Sequence, residues 1–172
     1  MFIGEGPGYH EDRRGRPFVG PAGQFLDELL AMAGMQRSEV FIGNVVKCRP
    51  PQNRDPQPDE ITTCTQAFLF RQIEALQPRV IVTLGRFSMN LFLPGEKISR
   101  IHGQPRRVDG RLIVPMIHPA AALHQPQNRP LIEADFRRLP QILAEAEREA
   151  TPTPATTLPR DDEPPLEQLS LF

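Results

Sequence analysis

A chain of 172 residues carries 20 basic and 21 acidic side chains, four His and a formal net charge of −1, and 39% of its residues are hydrophobic. That length suits one domain of ordinary size with tails. No apolar run reaches the roughly 20 residues of a membrane helix, no charged-then-apolar leader opens the chain, and two Cys cannot build a disulfide framework, so a cytoplasmic protein is expected. The near-zero charge argues against nucleic acid only if the chain is uniform. It is not: residues 141–172 hold seven acids and two bases, a charge of −5, and residues 1–140 therefore carry +4.

Met1–Gly4 reads as the end of a strand, and a buried-looking strand at the first residue leads us to expect further residues upstream or a misplaced start. Pro21–Met35 places Phe25, Leu26, Leu29, Leu30 and Met32 at helical spacing. Val40–Val46 is β-rich. Pro58–Leu76 is helical, with Pro58 suited to the first turn and Asp59 and Glu60 near the positive helix end. Arg79–Leu84 reads as a buried strand, Arg86–Leu93 as a short helix, Leu112–Ile117 as a strand and Ala120–Leu123 as a turn or helix. A last helix runs from around Leu131 to near Ala150. Strands joined by crossover helices predict an α/β fold of three layers, α/β/α, around a central, mostly parallel four-stranded sheet in one domain, residues 1–150. From Thr151 to Pro165 the chain is rich in Thr, Pro, Asp and Glu with almost nothing to bury, so residues 151–172 are expected to be a disordered acidic tail.

In such sheets ligands sit at the carboxyl ends of the strands. Three segments of chemical interest fall there. The first is Gly4-Glu5-Gly6-Pro7-Gly8 with Glu11-Asp12 and Arg16-Pro17-Phe18-Val19-Gly20 downstream. Glycines at a strand end let the backbone approach a ligand closely. A dinucleotide fingerprint fails because Tyr9 takes the place of its last Gly, and Pro7 removes an amide that a phosphate would need. The second segment is Asn44-Val45-Val46-Lys47-Cys48-Arg49-Pro50-Pro51, with Asn53 and Arg54 beyond. An Asn amide offers a donor beside an acceptor, which suits a pyrimidine edge carrying an imino proton next to a carbonyl. The third is His118-Pro119-Ala120-Ala121-Ala122-Leu123-His124, a His at a strand end followed by a small apolar wedge.

Together with Val80–Arg86 (VIVTLGR), these segments resemble the family-4 uracil-DNA glycosylases, an iron–sulfur branch of the superfamily, from about Met1 to about Leu143. The resemblance implies hydrolysis of the bond between uracil and its sugar in DNA, with the base flipped out of the stack. It implies that Phe18 stacks on the uracil, Asn44 reads its imide edge, Gly6 and the backbone at Glu5 line the pocket, and His118 donates to the 2-carbonyl as charge builds there. Leu123 would fill the gap left in the stack. The water-activating carboxylate is Glu11 or, second, Glu5, because Gly6 stands where the best-known branch has an Asp; both acids could instead serve as backbone acceptors. Arg49, Arg54, Arg100, Arg106 and Arg107 are expected to meet phosphate from loops near the strand ends. His102 matches a related subgroup with a nucleophilic His, and we read it as a loop residue.

The resemblance also implies that Cys48 and Cys64 are two of four thiolates for a [4Fe–4S] cluster. The family's other two form a Cys-x-x-Cys pair upstream of the first strand, so the cluster is expected to be incomplete in this chain. A non-catalytic DNA- or clamp-binding relative is the alternative. Finally, Gln168, Leu169, Leu171 and Phe172 in the terminal Gln-Leu-Ser-Leu-Phe look like the peptide with which bacterial repair proteins dock on the β sliding clamp. A monomer is expected, with uracil-containing DNA and that clamp as partners and no membrane.

Overall fold

The computed structural model describes residues 1–150, and the side chains of residues 1–148. The expected tail, residues 151–172 with its terminal peptide, lies outside the described residues. Five strands form one sheet: β1 (Phe2–Gly4), β2 (Ile42–Asn44), β3 (Val80–Leu84), β4 (Arg106–Val108) and β5 (Arg111–Met116), in the order β2-β1-β3-β5-β4. The first four positions of that order are parallel, and β4 pairs antiparallel on the outer edge of β5.

The expected sheet of four strands is therefore corrected to five. Asp109 and Gly110, at φ 48° and 77°, make a two-residue turn between β4 and β5. Positive φ at both central residues is the hairpin geometry whose twist matches the flanking strands. Arg106 and Arg107, expected in a loop, stand instead on the edge strand.

Eight helices surround the sheet among the described residues: α1 (Tyr9–Arg14), α2 (Pro21–Met32), α3 (Pro58–Cys64), α4 (Phe70–Leu76), α5 (Arg86–Phe92), α6 (Ile98–Ile101), α7 (Ala120–His124) and α8 (Arg129–Ala150). Helix α2 stops three residues earlier than its apolar pattern suggests. Gly34 turns left-handed at φ 70°, and Met35 N–H donates to Leu30 O while Gly34 N–H donates to Ala31 O, closing the helix end. The helix expected over 58–76 continues from α3 into α4 through a π-helical turn, Thr65–Leu69, directly after Cys64. Its start behaves as expected: Pro58 is in the first turn, and Glu60 accepts the N–H of Gln57 at 2.8 Å.

Alternation along the strands sends side chains to both faces. Phe2, Val82, Leu84, Val114 and Met116 join Phe25, Leu26 and Leu29 of α2 and Ile132, Phe136 and Leu139 of α8. Ile3, Ile81 and Ile113 point the other way, against Val45, Val46, Leu69 and Ile73. Each fully buried Leu, Ile or Phe contributes about 1.5–3 kcal/mol by leaving water. The three expected layers are present, and the free carboxyl ends of β1, β2, β3 and β5 face one side.

Candidate active site

Parallel registry sets Gly4 beside Asn44 at the ends of β1 and β2. A Cβ at position 4 would lie 2.6 Å from Asn44 Oδ1 and 2.6 Å from the Phe18 ring, so only glycine lets both side chains close over this strand end. Asn44 is 5% exposed. Its Oδ1 is buried and accepts no hydrogen bond from the described residues, a situation that costs about 1–3 kcal/mol unless a ligand or water supplies the donor. Lys47 fixes the residue from behind: its Nζ donates to Asn44 O at 2.8 Å and to Gln72 Oε1 of α4 at 2.9 Å. Burial holds the Lys47 ammonium below its ordinary pKa, against the opposing electrostatic attraction of Cys64.

Phe18 sits on the loop between α1 and α2, at φ 51° and buried. The loop is held by Glu11, whose Oε1 accepts the N–H groups of Val19 at 2.8 Å and Gly20 at 2.7 Å. Burial works to raise the Glu11 pKa, and the backbone donors, Gly20 first, outweigh it and leave the carboxyl below the usual range. Glu5 goes the other way. Burial, then the charge of Asp55, raise its pKa, with Arg86 opposing.

The Phe18 ring stacks on His118, centroids 5.5 Å apart at 25°. His118 follows β5, and its Nδ1 accepts the N–H of Ala120 at 3.1 Å. That bond assigns the proton of the neutral ring to Nε2. Burial lowers the His118 pKa to about 4, against the opposing charge of Glu11, so the imidazole is neutral near pH 7 and Nε2–H is its donor. Gly85, at φ 90°, lets the end of β3 approach within 3.1 Å of His118 Cβ, measured from the Cβ a larger residue would carry.

A cleft of about 400 Å³ opens over these groups, walled by Glu5, Gly6, Pro7, Glu11, Phe18 and His118, with Arg54 and His124 on its rim. Asn44 and Lys47 line an adjoining hollow of about 420 Å³ that shares Pro7 and Glu11 with the first. Such an arrangement can stack a planar heterocycle on Phe18, donate to one of its carbonyls from His118 and satisfy its N–H at Asn44.

Other expected residues are less uniform. Leu123 is 50% exposed on the short α7. Arg100 is exposed and Arg49 half-buried, its Nε donating to Asn53 Oδ1 at 2.7 Å. Arg106 donates to Gln104 and to Pro105 O. Arg54 is already forked onto Glu60, at 2.8 and 2.7 Å, and this pairing, with the N–H of Gln57, pulls the Glu60 carboxyl down to about 2. His102 is tied to the buried Asp135 of α8, Nδ1 to Oδ2 at 2.6 Å, and so is held by α8 as a loop residue. Cys48 and Cys64 both line a hollow of about 300 Å³ with Asp59, Glu60 and Thr63. Among the described residues no group of three or more His, Cys, Asp or Glu is arranged to hold a metal, so these two thiols do not by themselves fit a cubane cluster. Sequence reasoning gave no role to Lys47, Gln72 or Gly85. Lys47 lies inside a quoted motif, but its partner Gln72 is 25 residues away, and no local pattern announces the pairing.

The amide, aromatic ring and imidazole stand together at the carboxyl ends of the strands of an α/β sheet, where ligands bind. Residues 1–143 match the model of the uracil DNA glycosylase superfamily. The chain is 46% identical over 151 residues to a type-4 uracil-DNA glycosylase of Archaeoglobus fulgidus, covering 83% of this chain and 75% of that one. It is 47% identical over 131 residues to the type-4 uracil-DNA glycosylase of Thermotoga maritima, covering 74% and 68%. A type-5 uracil-DNA glycosylase of Pyrobaculum aerophilum is 30% identical over 138 residues, covering 70% and 60%. The chain belongs to the uracil DNA glycosylase superfamily, and within it to the type-4 branch.

Proposed function

We propose that this chain removes uracil from DNA by hydrolysing the N-glycosidic bond of a flipped nucleotide, the first step of base excision repair. The observation that carries this reading is the buried, unpartnered Asn44 Oδ1 beside Phe18 and Gly4. Uracil N3–H is the missing donor. Cytosine presents a lone pair there, and the Asn44 acceptor would stay unsatisfied. When the bond between C1′ and N1 breaks, its electron pair goes to the base, and charge spreads onto the 2-carbonyl oxygen. His118 Nε2–H donates to that oxygen, and one such donor is worth about 10²–10³ in rate. Water adds to C1′ and gives its proton to a carboxylate. The raised pKa of Glu5 makes it the better base, while Glu11 spends one oxygen on the Phe18 loop.

Cys48 and Cys64 are read as two of four thiolates of a [4Fe–4S] cluster, a structural group from which no step above is routed. Leu123 fills the vacated stack, and Arg49 and Arg100 meet phosphate. The acidic tail tethers a peptide, Gln168–Phe172, that docks on the β sliding clamp. The protein works as a monomer in the cytoplasm, and no helix of the described residues is long and apolar enough to cross a membrane. The two-thiol set favours a second reading, a DNA-binding relative without activity.

Uracil release from single- and double-stranded oligonucleotides separates the two readings. Wild-type protein is expected to release uracil, and Asn44→Ala to lose about 10²–10³ of that rate together with the preference for uracil over cytosine. No release by the wild-type chain would support the inactive relative.

A further inference from the structure

We propose that Tyr9 gathers Arg13 and Arg49 into a clamp for a phosphodiester of the DNA strand beside the flipped nucleotide. This deepens the glycosylase reading and rests on it for the position of the strand.

Tyr9 opens α1 and is 49% exposed. The Arg13 guanidinium carbon lies 5.5 Å from the ring centroid and that of Arg49 5.4 Å from it. A guanidinium over an aromatic face is attracted to the ring. Arg13 reaches it from one turn along α1 and also donates from Nη1 to Tyr9 Oη at 2.6 Å. Arg49 comes from the segment after β2, 40 positions away, and is steadied by its Nε–H bond to Asn53 Oδ1. Two helix and loop segments thus deliver two like charges to one ring.

Neither guanidinium has a carboxylate within salt-bridge distance among the described residues. Arg37, Arg54, Arg79, Arg86, Arg129 and Arg137 each have at least one. Two unneutralised cations held together repel, and an anion between them relieves the repulsion. Their remaining N–H groups, Nε and Nη2 of Arg13 and both terminal nitrogens of Arg49, have no acceptor among the described residues and suit phosphate oxygens. The site adjoins the cleft: Gly8 before Tyr9, and Pro50 and Asn53 beside Arg49, all line it. A strand presenting a flipped base to Phe18 and His118 must run its backbone across this rim.

The test is the salt dependence of binding to an undamaged single-stranded oligonucleotide, followed by fluorescence anisotropy. Each phosphate contact contributes about 0.7 to the slope of log K against log salt on a single strand. Arg13→Gln and Arg49→Gln are each expected to flatten the slope by about 0.7, and the double variant by about 1.4. Tyr9→Leu removes no charge, yet is expected to flatten the slope as well, because the two cations lose their platform. Unchanged unfolding midpoints show that these surface variants fold. The clamp is overturned if Tyr9→Leu leaves the slope at the wild-type value. A weaker affinity with that same slope would mean that the ring stacks on a base, which also overturns it. Undamaged DNA keeps this result separate from uracil release: loss of release with an intact Tyr9 effect rejects the enzyme reading alone.

Discussion

Asn44 Oδ1 is an acceptor in a place where nothing in the described protein donates to it. Its neighbours explain why the arrangement persists: Lys47 holds the backbone, and Gly4 leaves room for the amide. His118 shows how a single hydrogen bond chooses a function for a side chain, since the Ala120 N–H uses Nδ1 and frees Nε2–H to donate. Its lowered pKa has a consequence for stability. Between the ordinary value of 6.5 and about 4, the unfolded chain binds a proton that the folded protein refuses. The stabilisation is complete above pH 6.5 and is lost as pH falls toward 4. Chemical denaturation at pH 7 and pH 5 is expected to show a fall in wild-type stability that exceeds that of His118→Gln by about 2 kcal/mol.

At the scale of elements, the sheet sets which loops can meet. The motif-bearing turns after β1, β2 and β5 converge because those strands are parallel and close in the order of the sheet. The Asp109-Gly110 pair is a strong local hairpin signal, and β4 was legible there in principle; its exposed Arg106 and Arg107 lack the apolar alternation that marks a strand. The π turn after Cys64 was not legible, because Thr65–Leu69 is compatible with an ordinary helix; in the fold Leu69 and Ile73 are packed against the sheet residues Ile3, Ile81 and Ile113. Lys47 joins two elements, β2 and α4, through Asn44 and Gln72. Lys47→Met removes two hydrogen bonds to a charged group, each worth about 1.5–3 kcal/mol at most. It is expected to raise KM for a uracil oligonucleotide about tenfold, a change of about 1.4 kcal/mol, with a smaller effect on kcat. Steady-state kinetics checks this, and an unchanged KM would remove Lys47 from the positioning of Asn44.

For the whole molecule, the net charge of −1 is a cancellation between a body of +4 and a C-terminal segment of −5. The two parts suit different tasks, one meeting phosphate and the other, by the proposal above, tethering a docking peptide. Deleting residues 168–172 is expected to abolish binding to the β sliding clamp in a pull-down while leaving uracil release from short oligonucleotides unchanged. Persistent binding would assign the contact to the body. By itself the sequence determined the layer architecture, the order of the main elements and the three segments that carry Phe18, Asn44 and His118, because hydrophobic period and strand-end position are local properties. Only the tertiary structure decided that Asn44 Oδ1 has no donor among the described residues, that His118 keeps its proton on Nε2, that Arg54 is spent on Glu60 and that Tyr9 brings Arg13 and Arg49 to one ring. Those facts depend on partners brought together across the fold, and no spacing along the chain encodes which hydrogen bonds remain unmade.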